Sequence, residues 1–248
     1  MRPSGRLPGS AATLDATSGT GALAEQLWRL LGGDAGCVVV EAYYPASHRF
    51  YLEYTVMPAG GVDLVGSGSI RYRWPDSPSD ELKYLGLDIP AVLPASLGTV
   101  AESAVLRLVE ATAELGYRGA LNIDVILTED GRVIVNEVNA RWGGGSVLHA
   151  LGTRLIGEGY TRRVRMACLK SLLAPPWAEL MTVLSETELE YVAGREEGVI
   201  VLAHDDARPG NSEFLVIAPA WERARAIESE LRDACGVPAV TSNVRLAR

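Results

Sequence analysis

The stretch Asn122–Ser146, NIDVILTEDGRVIVNEVNARWGGGS, decides the fold. Two apolar runs, NIDVILT and RVIVNEVN, flank Asp130-Gly131. Asp-Gly between such runs is the strongest short-range hairpin signal, because a type I′ turn needs positive φ at both central residues. A loop of those two residues pairs Glu129 with Arg132, which brings Asp124 opposite Glu137 and Asn122 opposite Asn139, with all four side chains on one face. The other face then carries Ile123, Val125 and Leu127 against Val138, Asn136 and Ile134, a nearly apolar set suited to packing under a helix. A four-residue or bulged loop around Thr128–Gly131 would move the pairing by one residue and separate the acids.

Directly paired side chains in an antiparallel ladder sit about 5 Å apart, and like charges there are unfavourable. Either one carboxyl holds a proton or a hard divalent cation bridges the two, since such ions take carboxylate and amide oxygens. Asn139, on the same face as Glu137, supplies an amide oxygen, and Arg141 continues the alternation toward any anion bound on the metal. A solvated outer face of the sheet is the alternative reading. Gly143, Gly144, Gly145 and Ser146 then lead into a helical pattern, which places backbone N–H groups and a helix N-terminus beside Arg141. That is a candidate anion site for a substrate carboxylate or phosphate, or else a loop with Ser146 as an ordinary N-cap. His149 reads as an ordinary helix residue.

Working outward, TVAESAVLRLVEATAELG is a helix whose Thr99 and Glu102 have capping-box spacing and whose Val105, Leu108, Val109 and Leu115 form the expected buried stripe, closed by Gly116. Upstream, ALAEQLWRLLGG reads as a short helix. The runs CVVVEAYY, FYLEYTVM and VDLVGSGSIRYRW read as an antiparallel meander, and PDSPSDELKYLGLDIPAVLP as a loop without period. SVLHALGTRLIGEGYTRRVRMACLKSLLA is read as mostly helical with a break at Gly157 and Gly159, and Pro175-Pro176 as a boundary. Beyond it, GVIVLAH and EFLVIAP are paired strands followed by the helix AWERARAIESELRDACG, with Ile227 and Leu231 on one stripe.

Composition excludes several classes. The formal net charge of −8 and the absence of a basic run give phosphate-backbone binding no electrostatic support, so no nucleic-acid partner is expected. Cys37, Cys168 and Cys235 lie far apart and are odd in number, which suits buried thiols in a reducing compartment. No apolar run approaches the roughly 18 residues of a spanning helix, and no signal-peptide core stands at the start, so a cytoplasmic protein without a membrane partner is expected.

An Asp thirteen residues before an E-x-N-x-R, in a hairpin with a D-G turn and followed by a glycine-rich loop, resembles the metal-binding core of the ATP-grasp superfamily of carboxylate–amine ligases. The resemblance implies that Asp124, Glu137 and Asn139 hold Mg2+ (or Mn2+) on the phosphates of ATP. It also implies that Arg141 acts on the phosphoryl group or acyl phosphate, and that Gly143 to Ser146 meet a carboxylate or amine substrate such as an amino acid or peptide. VVVEAYY resembles the family's hinge strand, which assigns Glu41 and Tyr44 to the adenine, while Ser47 or His48 stands where an acidic ribose ligand is usual. The YLGLDIP segment and the closing strand, strand, helix order resemble the peptide-ligase branch typified by pheganomycin-type ligases. The expected fold is thus α+β, an ATP-grasp-like antiparallel sheet with flanking helices plus a small C-terminal α+β lobe. Its expected parts are residues 1–36 (a residual, partly disordered piece of the small lobe), 37–174 (the nucleotide and metal domain) and 175–248 (the C-terminal lobe).

The family's phosphate-gripping lysines have no counterpart before Lys83, and only SGTG, Ser18 to Gly21, resembles its covering loop. Two functions follow as expectations: an ATP-dependent C–N ligase truncated at its N-terminus, or a nucleotide-binding remnant or subunit completed by a partner chain or by a homo-oligomer.

Overall fold

A computed structural model describes residues 21, 22, 24, 25, 28, 44–73, 83–208 and 210–236. Its frame is one eight-stranded sheet in the order β5-β4-β1-β2-β3-β6-β8-β7. The strands are β1 (Ala46–Val56), β2 (Val62–Arg73), β3 (Lys83–Ile89), β4 (Gly119–Thr128), β5 (Val133–Asn139), β6 (Arg165–Leu172), β7 (Gly198–Ala203) and β8 (Ser212–Ala218). All neighbouring strands are antiparallel, and the sheet runs on without interruption past Pro175-Pro176.

Helices cover the two faces unequally. On one face α1 (Ala95–Glu114) buries Ala101, Val105, Val109 and Ala113, a four-residue spacing that makes one straight stripe, against Phe50, Leu52, Leu121, Ile123 and Val125. On the same face α3 (Trp177–Glu186) and α4 (Trp221–Ala234) lay Leu180, Leu184, Ile227 and Leu231 over Leu169, Phe214 and Val216. Between these two apolar clusters Arg71 on β2 and Asp88 on β3 meet α4: Arg71 donates to Glu228 at 2.9 Å, and Arg225 pairs with both Asp88 and Glu228. The opposite face is covered by α2 (Gly144–Leu155), whose Leu148 packs with Tyr51, Leu87, Ile89, Met166 and Tyr160. It leaves the β4–β5 end of that face open.

Several expectations need correction. Helix α1 begins at Ala95 behind Pro94, so Thr99 lies inside it and turns its hydroxyl back to the Ala95 carbonyl, and no side chain caps the start. Leu115 is 90% exposed, because the helix has ended before it. Arg165–Leu172 is strand β6, since pairing on both sides with β3 and β8 overrides the helix-forming Met, Ala, Leu and Lys it contains. YLGLDI is likewise strand, not loop. The predicted helix over 22–33 is described only at Ala22, Ala24, Glu25 and Trp28, all helical; its leucines, the CVVV run and residues 74–82 lie outside the described residues.

The turn also differs. Thr128 N–H donates to Arg132 O at 2.9 Å, so the loop holds three residues, Glu129, Asp130 and Gly131, with Gly131 in the left-handed region at φ +80°. That shifts Leu127 opposite Val133, Ile126 opposite Ile134 and Val125 opposite Val135. A bulge then leaves Asn136 without a partner and restores Asp124 opposite Glu137 and Asn122 opposite Asn139. The apolar row is therefore Val133, Val135 and Val138, while Ile134 belongs with the acids.

Candidate active site

Asp124 is walled by Tyr51 on β1 and Glu137 on β5, and is half-buried, whereas Glu137 on the edge strand is exposed. Burial pushes the Asp124 carboxyl up to about 6, the charge and hydrogen bond of Glu137 push the same way, and Arg141 opposes them. Asp124 therefore holds its proton more readily than an ordinary aspartate. A divalent cation relieves the same repulsion, and two carboxylates beside an amide oxygen on an open face fit a hard ion whose other ligands are phosphate oxygens and water. Among the described residues no three His, Cys, Asp or Glu side chains gather in metal-ligand fashion, which leaves Asn139 as the remaining oxygen donor of this row. Its Oδ1 accepts a hydrogen bond from Arg141 Nη2 at 3.0 Å, and Arg141 is otherwise exposed apart from a bond to the Trp142 carbonyl.

Next to this pair, Gly143 is the N-cap of α2 and Gly145 lies against Tyr51, where a Cβ would overlap the ring. Ser146 does not face the open side. Its hydroxyl is buried, accepts the Gly143 N–H at 2.8 Å and donates to Glu53. Glu53 also accepts from Asn122 Nδ2 at 3.3 Å; burial raises its pKa, partly offset by these two bonds. Under the same helix His149 bridges the hydroxyls of Tyr51, at 3.0 Å, and Tyr160, and burial lowers its pKa to about 4, so the ring is neutral. The glycine loop thus rests on a buried polar lattice, and the glycine exposed at its surface is Gly144.

Glu53, Tyr51 and Asn122 were not singled out by sequence reasoning as site residues. The available signal was the one that flagged Asp124: in FYLEYTV an acid occupies one alternate row of an otherwise apolar and aromatic strand.

Glu41 lies outside the described residues. Tyr44 stands before β1, its ring 5.4 Å from the Arg132 guanidinium at the hairpin tip, at the end of β4 away from α2. Ser47 donates to the Leu127 carbonyl at 3.0 Å and contacts His48 Nδ1 at 3.1 Å. Tyr72 borders the acid face: its pKa is raised by burial and by Asp124 and Glu137, against Arg49. Of the two lysines, Lys83 is exposed at the start of β3, and Lys170 pairs with Glu213 at 2.8 Å beside the Tyr84 ring.

The structure is similar to N5-carboxyaminoimidazole ribonucleotide synthetase from Thermus thermophilus, with a TM-score of 0.59 at 16% identity over 88% of this chain and 59% of that one. It is similar to biotin carboxylase from Campylobacter jejuni, solved as a β-γ-ATP complex, with a TM-score of 0.53 at 15% identity over 78% of this chain and 47% of that one. An L-amino acid ligase from Bacillus licheniformis gives a TM-score of 0.51 at 17% identity over 77% and 54%. The chain therefore spans less than two thirds of each. At this identity the likeness shows the fold alone, an α+β fold on one antiparallel sheet. The family model described as PGM1 C-terminal domain matches residues 179–231, from within α3 to within α4. No curated protein matches the sequence. No described helix is long and apolar enough to cross a membrane.

Proposed function

We propose that this chain is the nucleotide- and metal-holding part of an ATP- and Mg2+-dependent carboxylate–amine ligase of the peptide-ligase type, working through an acyl phosphate. The observation that carries the reading is the acid row: Asp124 faces Glu137, with Asn139 and Arg141 following along the open face. Asp124, Glu137 and Asn139 would hold Mg2+, which supplies charge neutralisation on the nucleotide phosphates. In the first step a carboxylate oxygen attacks the γ-phosphorus as the bond to ADP breaks. An amine then attacks the acyl carbon, phosphate leaves and the amine loses a proton. Arg141, a fork of N–H donors already in line with the acid row, stabilises the phosphoryl oxygens. The exposed backbone N–H of Gly144 orients the substrate carboxylate, with Gly143, whose own N–H is held by Ser146, and Gly145 setting its position from beneath. Tyr44 would meet the adenine, a role the hinge-strand resemblance also gives to Glu41, which lies outside the described residues. Residues 37–174 would carry the nucleotide site, and 175–248 the C-terminal part, whose strands β7 and β8 extend the same sheet.

A second reading is supported by the cation count. The sequence holds two lysines, and the described Lys170 is already ion-paired, so on this reading a partner chain supplies further positive charge to the transferred phosphate. Two measurements decide. ATP titrated with and without Mg2+ into wild type and Glu137→Ala should bind tightest to wild type with Mg2+; four equal affinities would overturn both readings. Amine-dependent ADP release from a mixture of amino acids supports the ligase, whereas Mg2+-dependent binding without release supports the partner-dependent subunit.

A further inference from the structure

At the far edge of the sheet, opposite β5, strand β7 borders a cleft of about 360 Å³ lined by Trp177, Val201, Leu202, Ala203, His204 and Asp206. Successive residues of a strand point to opposite faces, so a cleft touching Val201, Leu202 and Ala203 together runs along the strand's edge. The backbone there is open. Val199 N–H donates to Leu189 O at 2.7 Å and Val199 O accepts from Tyr191 N–H at 3.0 Å, so both its groups point away from β8. Two residues on, at the position opposite Phe214, the N–H and C=O of Val201 point the same way, and no backbone partner among the described residues meets them.

The side chains around this edge have a matching chemistry. Trp177 is 46% exposed, its ring 5.8 Å from that of His204. Asp206 accepts the Trp177 N–H at 2.8 Å and contacts His204 Nε2 at 2.7 Å, both through Oδ1. Its Oδ2 has no bond among the described residues, and the side chain is 62% exposed. His204 is anchored on its other nitrogen by Ser212 Oγ at 2.9 Å, so the wall is rigid. An indole face and a carboxylate oxygen beside unpaired main-chain groups suit a cation on an extended strand.

We propose that the β7 edge is a docking site for an extended polypeptide segment carrying an arginine or lysine. Its main chain pairs with Val201, and its cationic side chain lies over Trp177 toward Asp206. The site is separate from the acid row and does not depend on the function assigned there.

The test uses the 248-residue chain and two probes, acetyl-Val-Thr-Val-Arg-Val-amide and the same peptide with Glu in place of Arg, followed by calorimetry. The arginine peptide should bind at least about tenfold tighter. Val201→Pro should remove its binding while leaving the melting temperature near wild type, because the lost N–H is not used by β8 and proline is tolerated on edge strands. If Val201→Pro does not fold, Asp206→Asn, which keeps an acceptor for the Trp177 N–H, should still erase the preference for arginine. Equal binding of the two peptides, or no saturable binding of either, overturns the proposal. Sedimentation that shows self-association lost in Val201→Pro without peptide binding also overturns it, and assigns the edge to a second copy.

Discussion

Two sets of carboxylates sit on opposite faces of one sheet, and they are treated differently. Asp88 on β3 and Glu228 on the α4 helix above it are surrounded by Arg71, Arg225 and Arg232. Burial alone would push Glu228 up, but the Arg71 charge and hydrogen bond, with Arg225 and Arg232, hold it below the ordinary carboxylate range. Asp124 and Glu137 face each other across β4 and β5 with Arg141 beside them, and Asp124 is pushed up to about 6, mostly by burial and by Glu137. Among the described residues one set is enclosed by three arginines, and the other has Arg141 against the combined push of burial and Glu137. The difference separates acids that hold the fold together from acids that await a cation.

The largest effect should come from breaking the enclosed set. Glu228→Ala removes the hydrogen-bonded counter-charge of the buried Arg71 guanidinium, whose Nε and Nη1 already lack hydrogen-bond partners, and leaves it Asp88 at 3.8 Å. Removing one partner of a buried ion pair costs about 3–5 kcal/mol, read as a lower denaturant midpoint. On the open face the same kind of deletion should be mild for folding and costly for ligand. Glu137→Ala should weaken Mg2+-dependent ATP binding by about 1.5–3 kcal/mol by calorimetry, leaving Mg2+-independent binding unchanged.

The pH dependences of stability should have opposite signs. Asp124 has a folded pKa above its unfolded value of 3.8, so its contribution is fully present below that value and is lost as pH rises through about 6. Glu228 has a folded pKa below its unfolded value of 4.5, so its contribution is present above 4.5 and is lost as pH falls through the lower folded value. Metal-free unfolding from pH 3 to 8 should show both limbs, and Asp124→Asn should remove only the upper one. If Asp124→Asn leaves the upper limb intact, the contrast between the two faces is wrong. The smallest folding effect should be that of Arg141→Lys. It keeps the charge of an exposed side chain and so should move stability by less than about 0.5 kcal/mol. It also loses the planar fork, and turnover should fall if phosphoryl oxygens are held there.

The sequence made the acid row legible for a reason that was half right. A two-residue Asp-Gly loop predicts the pairing of Asp124 with Glu137, but the loop has three residues, and by itself would have moved Glu137 off that row. Asn136 was the clue: in regular register it sits in the apolar row, where an amide has no partner, and the strand avoids this by bulging at that residue. A bulge has no strong sequence mark, so turn and bulge could be read correctly only as a pair. The β6 strand was hidden for another reason. MACLKSL carries no period that separates strand from helix, and its pairing partners lie far off in sequence on β3 and β8. Glu53 was visible as an acid in an apolar strand, but its link to Ser146 spans 93 positions and depends on where α2 lands.

The bulge also fixes which changes of length this strand can survive. Loss of Asn136 would join Val135 directly to Glu137, and both would keep their present partners, Val125 and Asp124. Loss of Val138, one pair further on, would instead swing Asn139 and Arg141 through half a period to the side covered by α1. Of these two single-residue deletions, one is silent for the acid row and the other dismantles it. Natural length variants of this hairpin should therefore be found at the bulge before anywhere between Glu137 and Arg141.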